Sequence, residues 1–173
     1  MLSKYRLNKN MEEEKEEEYI NVYESLKGIV EDMRYRNKGV EIKIEREEIV
    51  YVKGDNTDFK RMMVNVIKNG IEAMEGKKRE VEVRDIVKGE EVEIRVKDNG
   101  KGMSKEMAEK LERGEEIGTT KEGGHGIGMQ QIIGTVKEMR GKIKIESREG
   151  EGTEFILTFP KAENSNIQNG DKN

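Results

Sequence analysis

The sequence predicts an α+β domain built as a two-layer α/β sandwich, with helices on one face of a mixed, largely antiparallel sheet. Two observations predict it. Apolar residues recur at helical spacing around positions 22–33, 59–74 and 127–139. Other stretches alternate apolar and polar residues with a period of two, and four of them form two pairs, each joined by turn residues. Helices interleaved with antiparallel strands in one short chain cover one face of the sheet.

Taken in order, Val22, Leu26, Ile29, Val30 and Met33 trace one helix face, and Asn37-Lys38-Gly39 ends that helix. VEIKIE (40–45) alternates as a strand, and IVYVK (49–53) follows. GDNTD then offers helix N-caps to a second helix over about 58–74. VEVRDIV (81–87) and VEIRVKD (92–98) flank KGEE as a hairpin. A short helix is expected over about 104–111 and a longer one over about 127–139. KIKIES (142–147) and TEFILTF (153–159) pair across REGEG, and the chain's only proline, Pro160, is expected to stop the last strand. Residues 1–19, with MEEEKEEE, read as a charged linker or the end of a preceding helix. Residues 20–160 form the domain, and residues 161–173 read as a polar, disordered tail.

Bulk composition excludes several chemistries. Charged residues make up 40% of the chain, but the net charge of -4 leaves no basic footprint for nucleic acid. With no cysteine and one histidine, a disulfide framework, a Cys nucleophile and a structural zinc site all lack their residues. No apolar run approaches the ~20 residues a membrane helix needs. The expectation is a cytoplasmic, monomeric domain without direct membrane contact.

Three constellations carry chemistry. In RMMVNVIKNGIEAME, the residues Asn65, Asn69 and Glu72 stand at i, i+4 and i+7, beside the apolar stripe of Phe59, Met62, Met63, Val66, Ile67, Gly70 and Met74. Two carboxamides one turn apart can offer oxygen to a hard cation such as Mg²⁺. Gly70 costs about 1 kcal/mol relative to Ala inside a helix, which close approach by another group would explain. A polar boundary face without a ligand has the same pattern.

In VEIRVKDNGKGM, strand parity places Asp98 on the face of Val92, Ile94 and Val96. A carboxylate there needs a donor, and an exocyclic amine of a ligand would serve. Gly100 and Gly102 allow a sharp turn that opens a slot. An ordinary Asn-Gly turn with a solvated aspartate is the plainer alternative. In TTKEGGHGIGMQQI, Gly123, Gly124, Gly126 and Gly128 precede an amphipathic helix, whose N-terminus favours an anion. Thr119, Thr120 and Lys121 add donors just upstream, as in a phosphate-binding lid. A flexible linker is the alternative for that stretch.

The order and spacing of NxxxN, DNGKGM, TTKEGGHGIG and GEGT resemble the ATP-binding domain of sensor histidine kinases. That family falls in the Bergerat-fold (GHKL) group with gyrase, Hsp90 and MutL, and the resemblance covers residues 20–160. It implies ATP and Mg²⁺ as cofactors, with Asn69 as the metal ligand and Asn65 near the phosphates. It also implies that Asp98 bonds the adenine amino group, that Gly100, Gly102 and Met103 shape the adenine pocket, and that Gly152 and Thr153 lie nearby. Thr119, Thr120, Lys121, Gly124, His125, Gly126, Ile127 and Gly128 would surround the triphosphate, and phosphoryl transfer would depend on Asn65, Asn69 and Lys121. The chain departs from the family at Gly70, where Ala is usual, at Leu111, where many members have Phe, and at Met129, where Leu is common. RGEEIG (113–118) lacks the usual phenylalanines.

Gyrase-like members carry Glu four residues before the magnesium Asn as the base for attacking water. Asn65 stands there in this chain, and an amide cannot take that proton. The implied acceptor is therefore a histidine on a separate dimerisation domain, with a response regulator downstream, whether the parent kinase is soluble or membrane-attached. His125 is expected to touch phosphate from the lid rather than to accept the phosphoryl group. An anti-sigma-type serine kinase and a non-catalytic nucleotide-binding regulator share the fold and are the alternatives.

Overall fold

A computed structural model describes residues 18–46, 48–76, 78–115 and 125–163. The elements run β1 (Tyr19–Asn21), α1 (Val22–Arg36), β2 (Glu41–Arg46), β3 (Tyr51–Lys53), α2 (Asn56–Ala73), β4 (Glu80–Lys88), β5 (Glu91–Asp98), α3 (Lys105–Glu112), α4 (His125–Glu138), β6 (Lys142–Arg148) and β7 (Gly152–Pro160). The main sheet has five strands in the order β2-β4-β5-β7-β6. β2 and β4 are parallel, and every other pair in it is antiparallel. This is the expected mixed, largely antiparallel α+β sandwich.

The helices form because their caps and stripes agree with their neighbours. The Asp55 side chain caps α2 by accepting from the N–H groups of Thr57 (2.8 Å) and Asp58 (2.9 Å). The helix then buries Phe59, Met62, Met63, Val66, Ile67, Gly70 and Ile71 against β4 and β5. α1 packs on β2 and α2, while α4 packs on α2 and β6. Phe59 of α2 meets Phe159 of β7 edge to face, with ring centroids 6.4 Å apart. Val83, Ile94, Val96, Phe155, Leu157 and Phe159 supply the sheet side of this core.

The outer face of the sheet is polar. There Arg95 pairs with Glu93 (2.8 Å) and Glu154 (3.7 Å), and Lys88 pairs with Glu93 (2.9 Å). The Arg95 pairs, half-buried on the outer face, account for where these charged residues go.

Four details differ from the sequence expectation. A two-stranded antiparallel sheet, β1 with β3, stands apart from the main one. Pairing Ile20 with Val52 buries both residues, so the strand within IVYVK joins the segment before α1. α4 begins at His125, two residues earlier than expected. β7 ends at Pro160 as expected, but backbone bonding continues for two residues into the segment read as a tail. Lys161 N–H donates to Glu90 O (2.8 Å), Ala162 N–H donates to Tyr51 O (2.8 Å), and Ala162 is buried.

Among the described residues no helix is long and apolar enough to cross a membrane. The charged segment 1–17 and residues 164–173 lie outside the described residues.

Candidate functional site

The candidate site is built on one row of the sheet and one helix above it. The register aligns Val81 of β4, Asp98 of β5, Thr153 of β7 and Ser147 of β6. Parity carries Asp98 to the core side with Val92, Ile94 and Val96, all buried, and leaves its side chain only 4% exposed. Its Oδ1 accepts from the N–H groups of Gly100 (2.8 Å) and Thr153 (3.3 Å). Oδ2 accepts no hydrogen bond among the described residues. Burial pushes the Asp98 carboxyl above its ordinary range, against the two amides that favour its charged form.

Gly70 explains how α2 comes so close. A Cβ at Gly70 would lie 3.1 Å from Asp98 Cβ and 3.3 Å from Asp98 Oδ2. The glycine that weakens the helix therefore faces the carboxylate directly. Asn65 and Asn69 of the same helix are half-buried, while Glu72 turns to solvent and pairs with Lys68 (3.5 Å). Asn65 Nδ2 donates to Gln131 Oε1 of α4 (2.7 Å), and Gln131 Nε2 donates to Thr135 Oγ1 (3.0 Å).

The loop after β5 is clamped on both sides. Lys101 N–H donates to Ala73 O at the end of α2 (2.9 Å), and Lys101 O accepts from Gly150 N–H (2.7 Å). Gly102 has φ +63, and a Cβ there would sit 1.9 Å from Arg148 O. Gly152 has φ +103, and a Cβ there would sit 2.1 Å from Asp98 O. Both positions require glycine.

Ser147 had no role in the sequence reading and is central here. Its hydroxyl accepts from Met103 N–H (2.9 Å), lies 2.9 Å from Thr153 Oγ1 and donates to Gly152 O (3.0 Å). Parity with Ile143 and Ile145 was the signal for it. Asn99 is also more than a turn residue: Oδ1 accepts from Glu80 N–H (3.0 Å) and Nδ2 donates to Lys78 O (3.0 Å).

The structure thus gathers Asp98, Gly100, Gly102, Met103 and Thr153 around Gly70 and Ser147, and separately sets Asn65 of α2 beside Gln131 and Gly128 of α4; Asn69 lies on α2 next to Gly70. A Cβ at Gly128 would be 4.0 Å from Asn65 Cγ. Thr119, Thr120, Lys121 and Gly124 lie outside the described residues. His125, Gly126 and Ile127 open α4, but their side-chain surroundings are likewise outside the description. A cleft of about 890 Å³ beside Lys53, Asp55, Asp58 and Glu138 opens at the other ends of α2 and α4 and shares none of these residues.

The donor set fits a purine nucleotide with a hard metal. A nearly buried carboxylate with one oxygen uncommitted suits an amino donor. Among the described residues no cluster of three or more His, Cys, Asp or Glu residues could hold a metal. The two carboxamides would have to suffice. Mg²⁺ suits such a site, because it keeps several waters and takes few protein ligands beside phosphates.

Asp98 thus stands in the sheet directly beneath the carboxamide-bearing helix α2. The chain belongs to the HATPase_c family, the histidine kinase-, DNA gyrase B-, and HSP90-like ATPases, which matches residues 54–163. Sensor protein DegM of Bacillus sp. (strain B21-2) is 34% identical over 126 residues, 72% of this chain and 33% of its own. Sporulation kinase C of Bacillus subtilis (strain 168) is 37% identical over 109 residues, 63% of this chain and 25% of its own. The chain therefore spans a third or less of these relatives. Among solved structures, the nucleotide-free catalytic domain of histidine kinase ThkA superposes with a TM-score of 0.71 at 26% identity, covering 84% of this chain and 95% of that one. ThkA has also been solved in complex with the response regulator protein TrrA (TM-score 0.67, 26% identity, 84% of this chain and 42% of that one).

Proposed function

We propose that this chain is the catalytic domain of a histidine kinase, binding Mg-ATP and giving the γ-phosphoryl group to a histidine on a separate dimerisation domain. The observation that carries the reading is the Asp98 carboxylate: nearly buried, held through Oδ1 by Gly100 and Thr153, and open through Oδ2 beside Gly70. An adenine amino group is a donor of the right kind, while a 6-oxo purine would bring an acceptor against an acceptor. Gly100, Gly102 and Met103 would wall the base pocket, and Thr153 would brace Asp98. Asn69 would hold the metal and Asn65 would stand beside the phosphates. By the family resemblance, Thr119, Thr120, Lys121, Gly124, His125, Gly126, Ile127 and Gly128 would lie around the triphosphate.

When bound, Mg²⁺ supplies charge neutralisation on the phosphate oxygens. The chain's own part is positioning, the larger share of phosphoryl-transfer catalysis. In the transfer, the bond from the γ-phosphorus to the bridging oxygen breaks and a bond to an imidazole nitrogen forms. ADP leaves with the electron pair, and the imidazole loses its N–H proton. Asn65 cannot deprotonate water, so hydrolysis does not compete. The partners of this reading are the histidine-bearing domain and a response regulator, which the ThkA–TrrA complex supports by analogy. The setting is cytoplasmic, with the parent kinase soluble or membrane-attached and this domain monomeric.

The test is phosphate release from ATP by the chain alone, measured beside ADP binding. Binding with negligible release supports a donor that lacks its acceptor. Rapid turnover with Asn65 intact would overturn the donor reading.

A further inference from the structure

We infer that Gln131 is a positioning residue for the Asn65 carboxamide, and that it sets how strongly magnesium tightens nucleotide binding. The inference rests on the nucleotide-site reading above.

A carboxamide has an oxygen end that accepts and a nitrogen end that donates, with nearly the same shape. An unconstrained asparagine beside a metal site presents either end. The metal that Asn69 would hold keeps several waters, and only the oxygen end of a neighbouring carboxamide accepts from them. Asn65 is constrained: its Nδ2 donates to Gln131 Oε1 at 2.7 Å. Gln131 is held in turn through Nε2 by Thr135 Oγ1 at 3.0 Å, and Thr135 is 5% exposed. With its nitrogen committed to α4, Asn65 turns Oδ1 away from α4, and that oxygen accepts no hydrogen bond among the described residues. Asn69 stands one turn further along the same helix, so the two carboxamides share one side of α2. Gly128 of the same helix as Gln131 is close by, since a Cβ there would lie 4.0 Å from Asn65 Cγ.

The relay also joins two elements that the chain keeps far apart, 66 residues in sequence. α4 directly follows the glycine-rich stretch, whereas α2 carries the carboxamides. An apolar residue at 131 would preserve the packing of α4 and lose the orientation of Asn65. A glutamate would keep it, because a carboxylate only accepts and so still demands the nitrogen end of Asn65.

The experiment is calorimetric titration of the full chain with ADP, with and without Mg²⁺. The ratio of the two Kd values measures the magnesium enhancement. Gln131→Leu should cut that ratio about five- to tenfold, the size of one net hydrogen bond, and leave the magnesium-free Kd within about twofold. Gln131→Glu should keep the ratio within about twofold of the parent. In an Asn65→Ala background, Gln131→Leu should change the ratio no further, because no carboxamide is left to orient. If the Leu variant melts as an unfolded chain, Gln131→Met takes its place.

A parental ratio in Gln131→Leu, an equal loss in Gln131→Glu, or an additive loss beside Asn65→Ala would each overturn the inference. ADP binding by the parent without any magnesium enhancement would overturn it and leave the adenine pocket standing. No ADP binding at all would overturn both.

Discussion

Asp98→Asn should push binding and stability in opposite directions. The asparagine carbonyl can still accept from Gly100 N–H and Thr153 N–H, now at 2.8 and 3.3 Å from Oδ1. Its Nδ2 then replaces Oδ2 beside Gly70, so an acceptor becomes a donor. A hydrogen bond to a charged acceptor is worth about 1.5–3 kcal/mol, so the Kd for ADP should rise about 10- to 150-fold. IDP, whose 6-oxo group accepts, should gain relative to ADP. Stability should move the other way. Burial raises the Asp98 pKa in the folded state, so the fold holds this proton more tightly than the unfolded chain does. Its contribution is therefore most favourable below the unfolded value of about 3.9 and falls as pH rises from there through the raised folded value. At pH 7 the buried charge is a net cost, and Asp98→Asn should melt above the parent, with the gap closing in acid. The assays are calorimetric titration with ADP and IDP and thermal melts across pH. A variant that binds ADP like the parent would refute the reasoning. So would one that loses ADP and IDP equally and melts lower.

Three further outcomes follow from the same geometry. Gly102→Ala combines a positive φ with a Cβ 1.9 Å from Arg148 O and should cost about 2 kcal/mol or more, whereas Gly134→Ala, in an open helical position, should gain up to about 1 kcal/mol; melting temperatures decide both. Asn69→Ala should weaken ADP binding about tenfold with Mg²⁺ and little without it, as read by paired titrations. Ending the chain at Pro160 removes the backbone bonds of Lys161 and Ala162 and the burial of Ala162, and should cost about 2 kcal/mol in denaturant unfolding.

What the sequence made legible was local. The helix stripes of α1, α2 and α4 and the alternation of β4 through β7 were readable because burial repeats at the period of each element. Parity alone put Asp98 among buried residues, and the cost of Gly70 pointed to a close neighbour, which is Asp98 itself. Long-range pairing was not legible. The parallel partnership of β2 and β4 joins strands separated by a helix, and no local pattern encodes it. β1 is three residues long, too short to show alternation. The roles of Asn99, Ser147 and Gln131 are contacts across 19 to 66 residues of sequence. Lys161 and Ala162 looked like tail because their partners, Glu90 and Tyr51, are equally remote.

In the proposed reading α2, Asp98 and α4 together make a magnesium-dependent adenine nucleotide site. Titration of the parent chain with ADP and a non-hydrolysable ATP analogue, with and without Mg²⁺, tests it most directly. Micromolar, adenine-selective binding that magnesium strengthens is the expected result. No binding to well-folded protein would contradict it and leave the pocket as an inherited shape in a protein-binding regulator.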